Sequence, residues 1–260
     1  MKYLKSKSLQ KTIRKSWEES KKQNIMPDID KPLIKVRKGK LKHSLKKNQK
    51  LIDVFKSSVQ NLLKTIKNEY LFVLTDPGLM VLAYTKSDST ILETLELGMS
   101  FSEKSVGTNA ISLAKNINKA VYIKPEDHYL FFLKEWYCFA LPLQVDEKII
   151  GYLDISTVNK ELKSEIIQIV DFLVKDIIKD YRRRCLKDDI KLSKKQRQVL
   201  NYIVKGYTEQ ATAIEMGISR NGVKYHKKKL YKKLEANCLA EAVIKASEYN
   251  LLELEDKNIE

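Results

Sequence analysis

A run of arginine, asparagine and lysine residues after position 219 has the chemistry needed to contact a nucleic acid. Ser219 can cap a helix over about 220–234, in which Val223, Leu230, Tyr231 and Leu234 share the inner face. The residues left on the outer face are Arg220, Asn221, Lys224, Tyr225, Lys228 and Lys232. Arginine and lysine can bind guanine edges, asparagine can bind adenine, and lysine neutralises phosphate. This pattern therefore predicts DNA contacts.

A second group of polar and aromatic residues lies in otherwise apolar, strand-rich sequence in the middle of the chain. Its members are Glu103, Thr108, Asn109, Glu126, His128, Tyr129, Trp136 and Cys138. Small-molecule pockets are mostly apolar and aromatic, with a few convergent polar groups. We therefore predict that a small neutral or anionic metabolite binds between segments 101–109 and 126–138.

These residues also allow purely structural roles. Glu103 and Asn109 can tie a loop and cap a helix, because asparagine commonly bonds to nearby backbone. Trp136 can be a core residue, and Cys138 a small buried one. In that case the middle of the chain would be a dimerisation module without a ligand.

Two chemical alternatives use the same segment. Cys138 with His128 could form a nucleophile and base in a reductase, but no second cysteine follows nearby. Glu126, His128 and Cys138 could bind a metal or haem, although their spacing matches no standard site. We therefore predict no catalytic residue, no metal site and no cofactor.

The elements that would position the central residues alternate between helices and hairpins. Two apolar runs, 70–75 and 79–84, flank Asp76-Pro77-Gly78, and a second pair, 137–144 and 148–156, flanks Asp146-Glu147. A short strand is expected at 120–123. Helices are predicted over 8–23, 41–67, 87–97, 108–116 and 160–181. This order predicts an α+β domain, an antiparallel sheet with flanking long helices.

The sequence of residues 192–252 predicts four helices. Ser193-x-x-Gln196 is a capping box, and Thr208 and Ser219 can cap the second and third helices. Gly206 ends the first helix, and Met216-Gly217 forms the turn of a helix-turn-helix. The fourth helix would present Ala240, Val243, Ile244 and Ser247 to a partner.

Charge and composition divide the 260 residues, which carry a net charge of +16. The net charge is +13 over 1–50 and +10 over 191–234, whereas the middle is nearly neutral. Basic ends around a neutral middle favour a polyanionic partner. The predicted organisation is a basic segment 1–37, a sensor-like domain 38–181, a linker 182–191, a helical domain 192–252 and an acidic tail 253–260.

The helical domain resembles the LuxR/GerE-type helix-turn-helix of bacterial transcription factors. The matching residues include Leu192-Ser193, Val199-Leu200, Gly217-Ile218-Ser219, Val223-Lys224-x-His226 and Ala240-Glu241-Ala242-Val243. The chain departs from the pattern at Gln196, at Thr212-Ala213 and at Gly222. Glycine within a helix costs about 1 kcal/mol relative to alanine, so Gly222 weakens the third helix.

The middle domain resembles the GAF-type sensor of acetoin- and dihydroxyacetone-responsive bacterial activators. The matching pieces include Gly107-Thr108-Asn109-Ala110, Glu126-Asp127-His128-Tyr129, Trp136-x-Cys138-x-Ala140-x-Pro142 and Gly151-x-Leu153-Asp154-Ile155-Ser156. The sequence has no GxxxxGK[ST] phosphate loop, so the resemblance does not imply ATP-driven activation.

Together the two resemblances imply a DNA-binding transcriptional regulator that responds to a small molecule. The expected partners are a double-stranded DNA operator, an effector such as a small diol or hydroxyketone, and RNA polymerase. A homodimer is expected to form through the helices at 41–67 and 160–181, with residues 239–248 pairing on DNA. Scattered cysteines and the absence of an apolar run of about 20 residues predict a cytoplasmic protein without a membrane segment.

Overall fold

The structure, a computed structural model, describes residues 3–66, 70–86, 95–249 and 251–252. Contacts divide the chain into two units, Met1–Asp180 and Tyr181–Glu260. Most of the helix predicted at 87–97 and all of the acidic tail at 253–260 lie outside the described residues. Leu95 and Glu96 are not helical, but Gly98 has the predicted positive φ, +84°.

A six-stranded sheet forms the centre of the first unit. Its spatial order is β1-β4-β5-β6-β2-β3, and all neighbours are antiparallel except the parallel pair β1–β4. The strands are β1 (Leu4–Lys5), β2 (Leu71–Thr75), β3 (Val81–Lys86), β4 (Val121–Ile123), β5 (Trp136–Val145) and β6 (Lys148–Val158).

Both predicted hairpins are confirmed. The β2–β3 turn contains Asp76, whose carboxylate accepts a hydrogen bond from the Met80 backbone N–H at 2.9 Å. The β5–β6 turn places Asp146 and Glu147 at φ +47° and +65°, the left-handed conformation that a tight two-residue hairpin requires. The long β5–β6 pair carries two of the predicted ligand residues, Trp136 and Cys138, on β5.

The sheet packs between helices. Those of the first unit are α1 (Ser6–Lys22), α2 (Lys38–Lys47), α3 (Gln49–Leu63), α4 (Glu103–Val106), α5 (Ala110–Ile117) and α6 (Ser164–Asp189). The single helix predicted at 41–67 is instead two, because the chain leaves helical geometry at Asn48. The Asn48 side chain donates to the Ser44 carbonyl at 2.9 Å and so ends α2.

The charge pattern predicted that the first 37 residues form a separate basic segment. The structure shows instead that they are part of the first unit. Leu9, Ile13 and Ile25 are buried in the same hydrophobic core as the sheet, and Leu4 pairs with Val121. Helix α1 is amphipathic, so its lysines lie on the exposed face while its sparse apolar residues contact the core. Charge dominates the composition of this segment, but the spacing of the few apolar residues determines how it packs.

The predicted linker at 182–191 also differs from the structure. Helix α6 continues through it to Asp189. The sequence there contains no glycine or proline, and arginine, lysine and leucine favour helix. A low apolar content therefore marked the end of core packing, not the end of the helix.

Four further helices form the second unit. They are α7 (Lys194–Val204), α8 (Glu209–Glu215), α9 (Arg220–Leu234) and α10 (Leu239–Glu248). The predicted caps are confirmed: Ser193, Thr208 and Ser219 each accept a backbone hydrogen bond at the start of a helix. In the described part of the chain, no helix combines the length and apolarity needed to cross a membrane.

Candidate functional site

One face of the central strands carries polar side chains into the core of the first unit. Cys138 on β5 lies opposite Ser156 on β6, and Asp154 lies two residues away on the same face. Leu71 and Val73 of β2 continue this face on the other side of β6. Helix α5 packs against β4, β5 and β6, so these side chains are enclosed between sheet and helix.

A small cavity lies under this enclosure. Its volume is about 20 Å³, room for about one water molecule. Its polar wall is formed by Asn109, His128, Cys138, Asp154 and Ser156. Its apolar wall is formed by Leu71, Val73, Phe101, Ala110, Ile111, Leu133 and Trp136. This mixture is the one expected of a small-molecule site.

His128 is the most unusual residue of the cavity. It is 1% exposed, and neither ring nitrogen makes a well-formed hydrogen bond among the described residues, although the Trp136 backbone lies close enough to favour the protonated ring slightly. Burial first, and the Lys134 charge second, lower the pKa of His128 to about 3. The ring is therefore neutral at physiological pH and offers one N–H donor and one acceptor.

Asp154 presents a second unsatisfied group to the same space. Its Oδ2 accepts a hydrogen bond from the Ser156 hydroxyl, whereas Oδ1 has no partner in the described structure. Burial raises the pKa of Asp154 to about 7, against the opposing effect of the Ser156 bond. A buried polar atom without a partner costs about 1–3 kcal/mol. A bound molecule that bonded to His128 and Asp154 would remove that cost.

The geometry argues against the two chemical alternatives. Burial raises the pKa of the Cys138 thiol, and the Asp154 charge adds to this effect, so the nucleophilic thiolate is disfavoured. Glu126 is exposed while His128 and Cys138 are buried. Within the described residues, no group of three or more potential metal ligands comes together.

Three of the eight sequence-predicted ligand residues instead close the domain. Ser16 of α1 donates to Glu103 at 2.5 Å, and its hydroxyl lies 2.7 Å from that of Thr108. The Tyr129 hydroxyl donates to the Ile25 carbonyl at 2.9 Å. These bonds tie the N-terminal segment to the loops over the sheet, and Glu126 lies outside the cavity.

Asn109 lines the cavity but is largely committed to structure. Its Oδ1 accepts from the Ser112 backbone as the cap of α5, and its Nδ2 donates to the carbonyls of Phe101 and Gly107. The loop-tying and capping alternative for Asn109 is therefore confirmed. Of the predicted set, His128, Trp136 and Cys138 remain beside it at the cavity.

Asp154 and Ser156 were not among the predicted site residues. The signal was available, since Asp154 is the one acidic residue of strand β6, and both Asp154 and Ser156 fall on the face of Cys138. An acidic residue in a strand buried on both faces is rarely there for packing alone. The alternation pattern, combined with the Cys138 register, could have identified it.

The second unit presents a basic face on α9. Val223, Leu230 and Leu234 are buried beneath the helix, as predicted. The six predicted DNA-contacting residues are all exposed: Arg220, Asn221, Lys224, Tyr225, Lys228 and Lys232. Their exposure along a capped helix is what entry into a major groove requires.

Gly222 is a residue of low helix propensity within α9. A Cβ atom there would meet the Ile218 and Ser219 side chains at 3.5 Å, which is ordinary van der Waals contact. Its backbone is helical, so nothing in the packing demands glycine.

Replacing Gly222 by alanine should stabilise α9 by about 0.5–1 kcal/mol, because alanine loses less backbone entropy in a helix. Hydrogen exchange of peptides covering 220–234 measures this directly. Gly217→Ala is the matched control, since Gly217 has φ +60° and alanine there should destabilise the turn. If Gly222→Ala and Gly217→Ala changed hydrogen exchange in α9 equally, Gly222 would not be an ordinary helical position as the structure indicates.

Asp154 generates a pH prediction. Its folded pKa is raised, so the unfolding free energy falls as pH rises from about 4 through about 7. The unfolding free energy of Asp154→Asn, relative to that of the unmodified chain, should therefore increase by about 1 kcal/mol from pH 6 to pH 8. The contribution of His128 cancels in this difference.

Fluorescence-detected urea unfolding can measure this effect, because both tryptophans, Trp17 and Trp136, belong to the first unit. Glu147→Gln is the control, since it removes an exposed carboxylate from the β5–β6 turn. A pH-independent difference for Asp154→Asn would show that the carboxyl titrates normally.

Comparison with known proteins agrees with these two units. Residues 191–246 match the family described as bacterial regulatory proteins, luxR family. The acetoin dehydrogenase operon transcriptional activator AcoR of Bacillus subtilis (strain 168) is 30% identical over 154 residues, which cover 57% of this chain and 26% of AcoR. A signal-transduction and transcriptional-control protein of Clostridium beijerinckii is 25% identical over 171 residues, 64% of this chain and 27% of that protein.

The matches thus span about a quarter of the length of these curated relatives. Among solved structures, the Escherichia coli DhaR(N)–DhaL complex contains a similar fold, with a TM-score of 0.58 and 16% identity. That match covers 64% of this chain and 58% of the other chain. The chain therefore combines a GAF-like α+β domain with a C-terminal helix-turn-helix domain of the LuxR type.

Proposed function

We propose that this chain is a sequence-specific DNA-binding transcriptional regulator whose GAF-like domain binds a small neutral metabolite. The observation that carries the DNA-binding part is the exposed basic face of α9 on a LuxR-type domain. The observation that carries the ligand part is a group of buried polar atoms without a well-formed hydrogen bond, the two ring nitrogens of His128 and Oδ1 of Asp154, beside one cavity.

The residues of the proposed DNA-binding face fall into a group that would contact base edges and a group that would contact phosphates. Arg220, Asn221 and Lys224 lie in the first turns of α9, where side chains can contact base edges. Lys228 and Lys232 lie further along and would neutralise phosphates. Tyr225 is exposed between the two groups, with the Lys229 ammonium 4.5 Å from its ring centroid.

The charged and polar groups that line the cavity determine which ligand chemistry it favours. Its described lining contains no lysine or arginine, and its one acidic group faces the interior. A carboxylate ligand would lie beside Asp154 without a compensating cation, so an anion is disfavoured. A neutral hydroxyl compound can donate to Asp154, a neutral carbonyl compound can accept from Asp154 when that acid is protonated, and either can bond to His128 while its carbons contact Val73, Ile111 or Leu133.

A small diol or hydroxyketone has this chemistry. The similar Bacillus subtilis activator is named for an acetoin dehydrogenase operon, and acetoin is a neutral hydroxyketone. The present cavity holds about one water, so such a ligand would need the walls to move outward. We propose that this displacement biases the packing of α6, which begins after β6 and leads to the second unit.

A second copy of the chain is the proposed partner of two exposed apolar surfaces. Ile169 and Phe172 lie on the outer side of α6, with Phe172 65% exposed. Leu239 and Ile244 are exposed on α10, whose buried side carries Ala242 and Ala246. Two copies bound to half-sites about 10 base pairs apart would provide affinity that a single small module lacks.

The first test concerns DNA. Asn221→Ala should relax preference at one base position at a cost of about 1–3 kcal/mol. Lys228→Ala should weaken specific and random DNA alike and reduce the salt slope by about one unit. Lys179→Ala, an equal charge change on α6, is the control. Indistinguishable behaviour of the Asn221 and Lys228 variants would overturn this placement of α9.

The second test concerns the ligand. Thermal-shift screening of small diols, hydroxyketones and their carboxylate analogues should find stabilisation by neutral members. A ligand at about 100 times its dissociation constant adds roughly 2.7 kcal/mol. Asp154→Asn and His128→Phe should abolish that shift while leaving ligand-free DNA affinity intact, and Glu147→Gln should retain it.

Asp154→Asn preserves side-chain volume, and His128→Phe keeps an aromatic ring with a modest increase in volume. Truncation is avoided because replacing a buried aromatic such as Trp136 by alanine costs about 3–5 kcal/mol by itself. If both cavity variants unfold, or bind DNA as weakly as an α9 variant, the residues are core. The first unit would then be a dimerisation module without a ligand.

The third test concerns assembly. Sedimentation should show a dimer at micromolar concentration, and Phe172→Glu should shift it towards monomer, since a charge would be buried in the contact. Lys148→Glu, which also introduces a glutamate but at an exposed residue of β6, should leave the dimer intact. A monomer that binds DNA one-to-one would overturn the proposal.

A further inference from the structure

Helix α8 carries a carboxylate that holds two cations of α9. Glu209 Oε1 lies 3.0 Å from Lys227 Nζ, and Glu209 Oε2 lies 3.7 Å from Arg220 Nε. The Glu209 and Lys227 side chains are 26% and 28% exposed, so this pair is partly shielded from solvent. The hydrogen bond from Lys227 first, and then the charges of Lys227, Lys224 and Arg220, lower the pKa of Glu209 against the smaller opposing effect of burial.

Arg220 and Lys227 lie on α9 between its buried side and its fully exposed side. Arg220 and Lys227 are seven residues apart, about two helical turns, so they lie on the same side as the buried Val223. Asn221 and Lys228 lie one position further round, on the fully exposed side. Glu209 therefore contacts cations at the edge of the proposed DNA-binding face and leaves its centre untouched.

Such an arrangement makes DNA compete with an internal anion. A single phosphate offers Arg220 little more than the Glu209 carboxylate already does. A guanine edge offers two parallel hydrogen bonds, one of the strongest base contacts known for arginine. Only the correct sequence would then compensate fully for loss of the Glu209 contacts.

We propose that Glu209 is a specificity-determining residue: it competes with DNA phosphates for Arg220 and Lys227 and weakens binding to random sequence more than binding to the operator. This inference rests on the proposed DNA-binding function. Glu209 contacts no base itself in this account and acts through the two cations.

The test compares Glu209→Gln with Glu215→Gln in the full chain. Both substitutions remove one negative charge from α8, but Glu215 is exposed at the far end of the helix. On a random-sequence duplex, Glu209→Gln should bind about three- to tenfold more tightly than Glu215→Gln. Its salt slope should be steeper by about 0.9 for each added phosphate contact.

A duplex selected by the unmodified protein from a random library supplies the specific arm. There the gain of Glu209→Gln should be smaller, so that the ratio of specific to random affinity falls. Adding Lys227→Gln to Glu209→Gln should remove much of the gain on random DNA, because the released cation is no longer present.

The outcomes are distinguishable. If the unmodified chain binds no DNA, the proposed function fails. If it binds DNA but Glu209→Gln and Glu215→Gln behave alike, this inference alone is overturned. Weaker random binding by Glu209→Gln, with normal hydrogen exchange in α8 and α9, would also overturn it, since Glu209 would then position the cations for DNA.

Discussion

The burial of His128 and Asp154 in the core between the sheet and α5 is the constraint on which the first domain depends. Each leaves polar atoms without partners, and each is shifted by burial towards its neutral form. Such groups are tolerated only when the surrounding contacts exceed their desolvation cost of about 1–3 kcal/mol each. Fully buried neighbours such as Val73, Ile111 and Leu133 supply those contacts. The fold thus maintains a polar space in which burial favours the neutral forms of both groups.

The enclosure comes from parts of the chain that are far apart in sequence. Helix α1 reaches over the loops through Ser16, which bonds to Glu103 and lies against Thr108. The Trp17 indole N–H donates to the Asp127 carbonyl, one residue before His128. The N-terminal helix is therefore a wall of the domain, and its position is coupled to the residue whose ring faces the cavity.

Sequence reasoning succeeded where structure is locally encoded and failed where it depends on distant contacts. The hairpin turns, the helix caps at Ser193, Thr208 and Ser219, and the four C-terminal helices are written in nearby residues. The docking of α1 and the parallel pairing of β1 depend on partners more than 100 residues away. Alternation along β6 could place Asp154 on the face of Ser156, but its convergence with His128, which lies in a loop outside the strands, depends on tertiary contacts that composition and periodicity do not specify.

Two carboxylates, in two environments, illustrate how one residue type is adapted to opposite tasks. Asp154 lies among apolar groups with no cation in its described cavity lining, so burial dominates and the neutral acid is favoured. Glu209 lies beside Lys227 and Arg220, so ion pairing dominates and the charged form is favoured. A neutral acid can donate a hydrogen bond to an uncharged ligand, whereas a charged carboxylate can compete with phosphate for a cation. The surroundings of each carboxylate are thus the basis of the partner proposed for it, an uncharged small molecule for the first domain and a polyanion for the second.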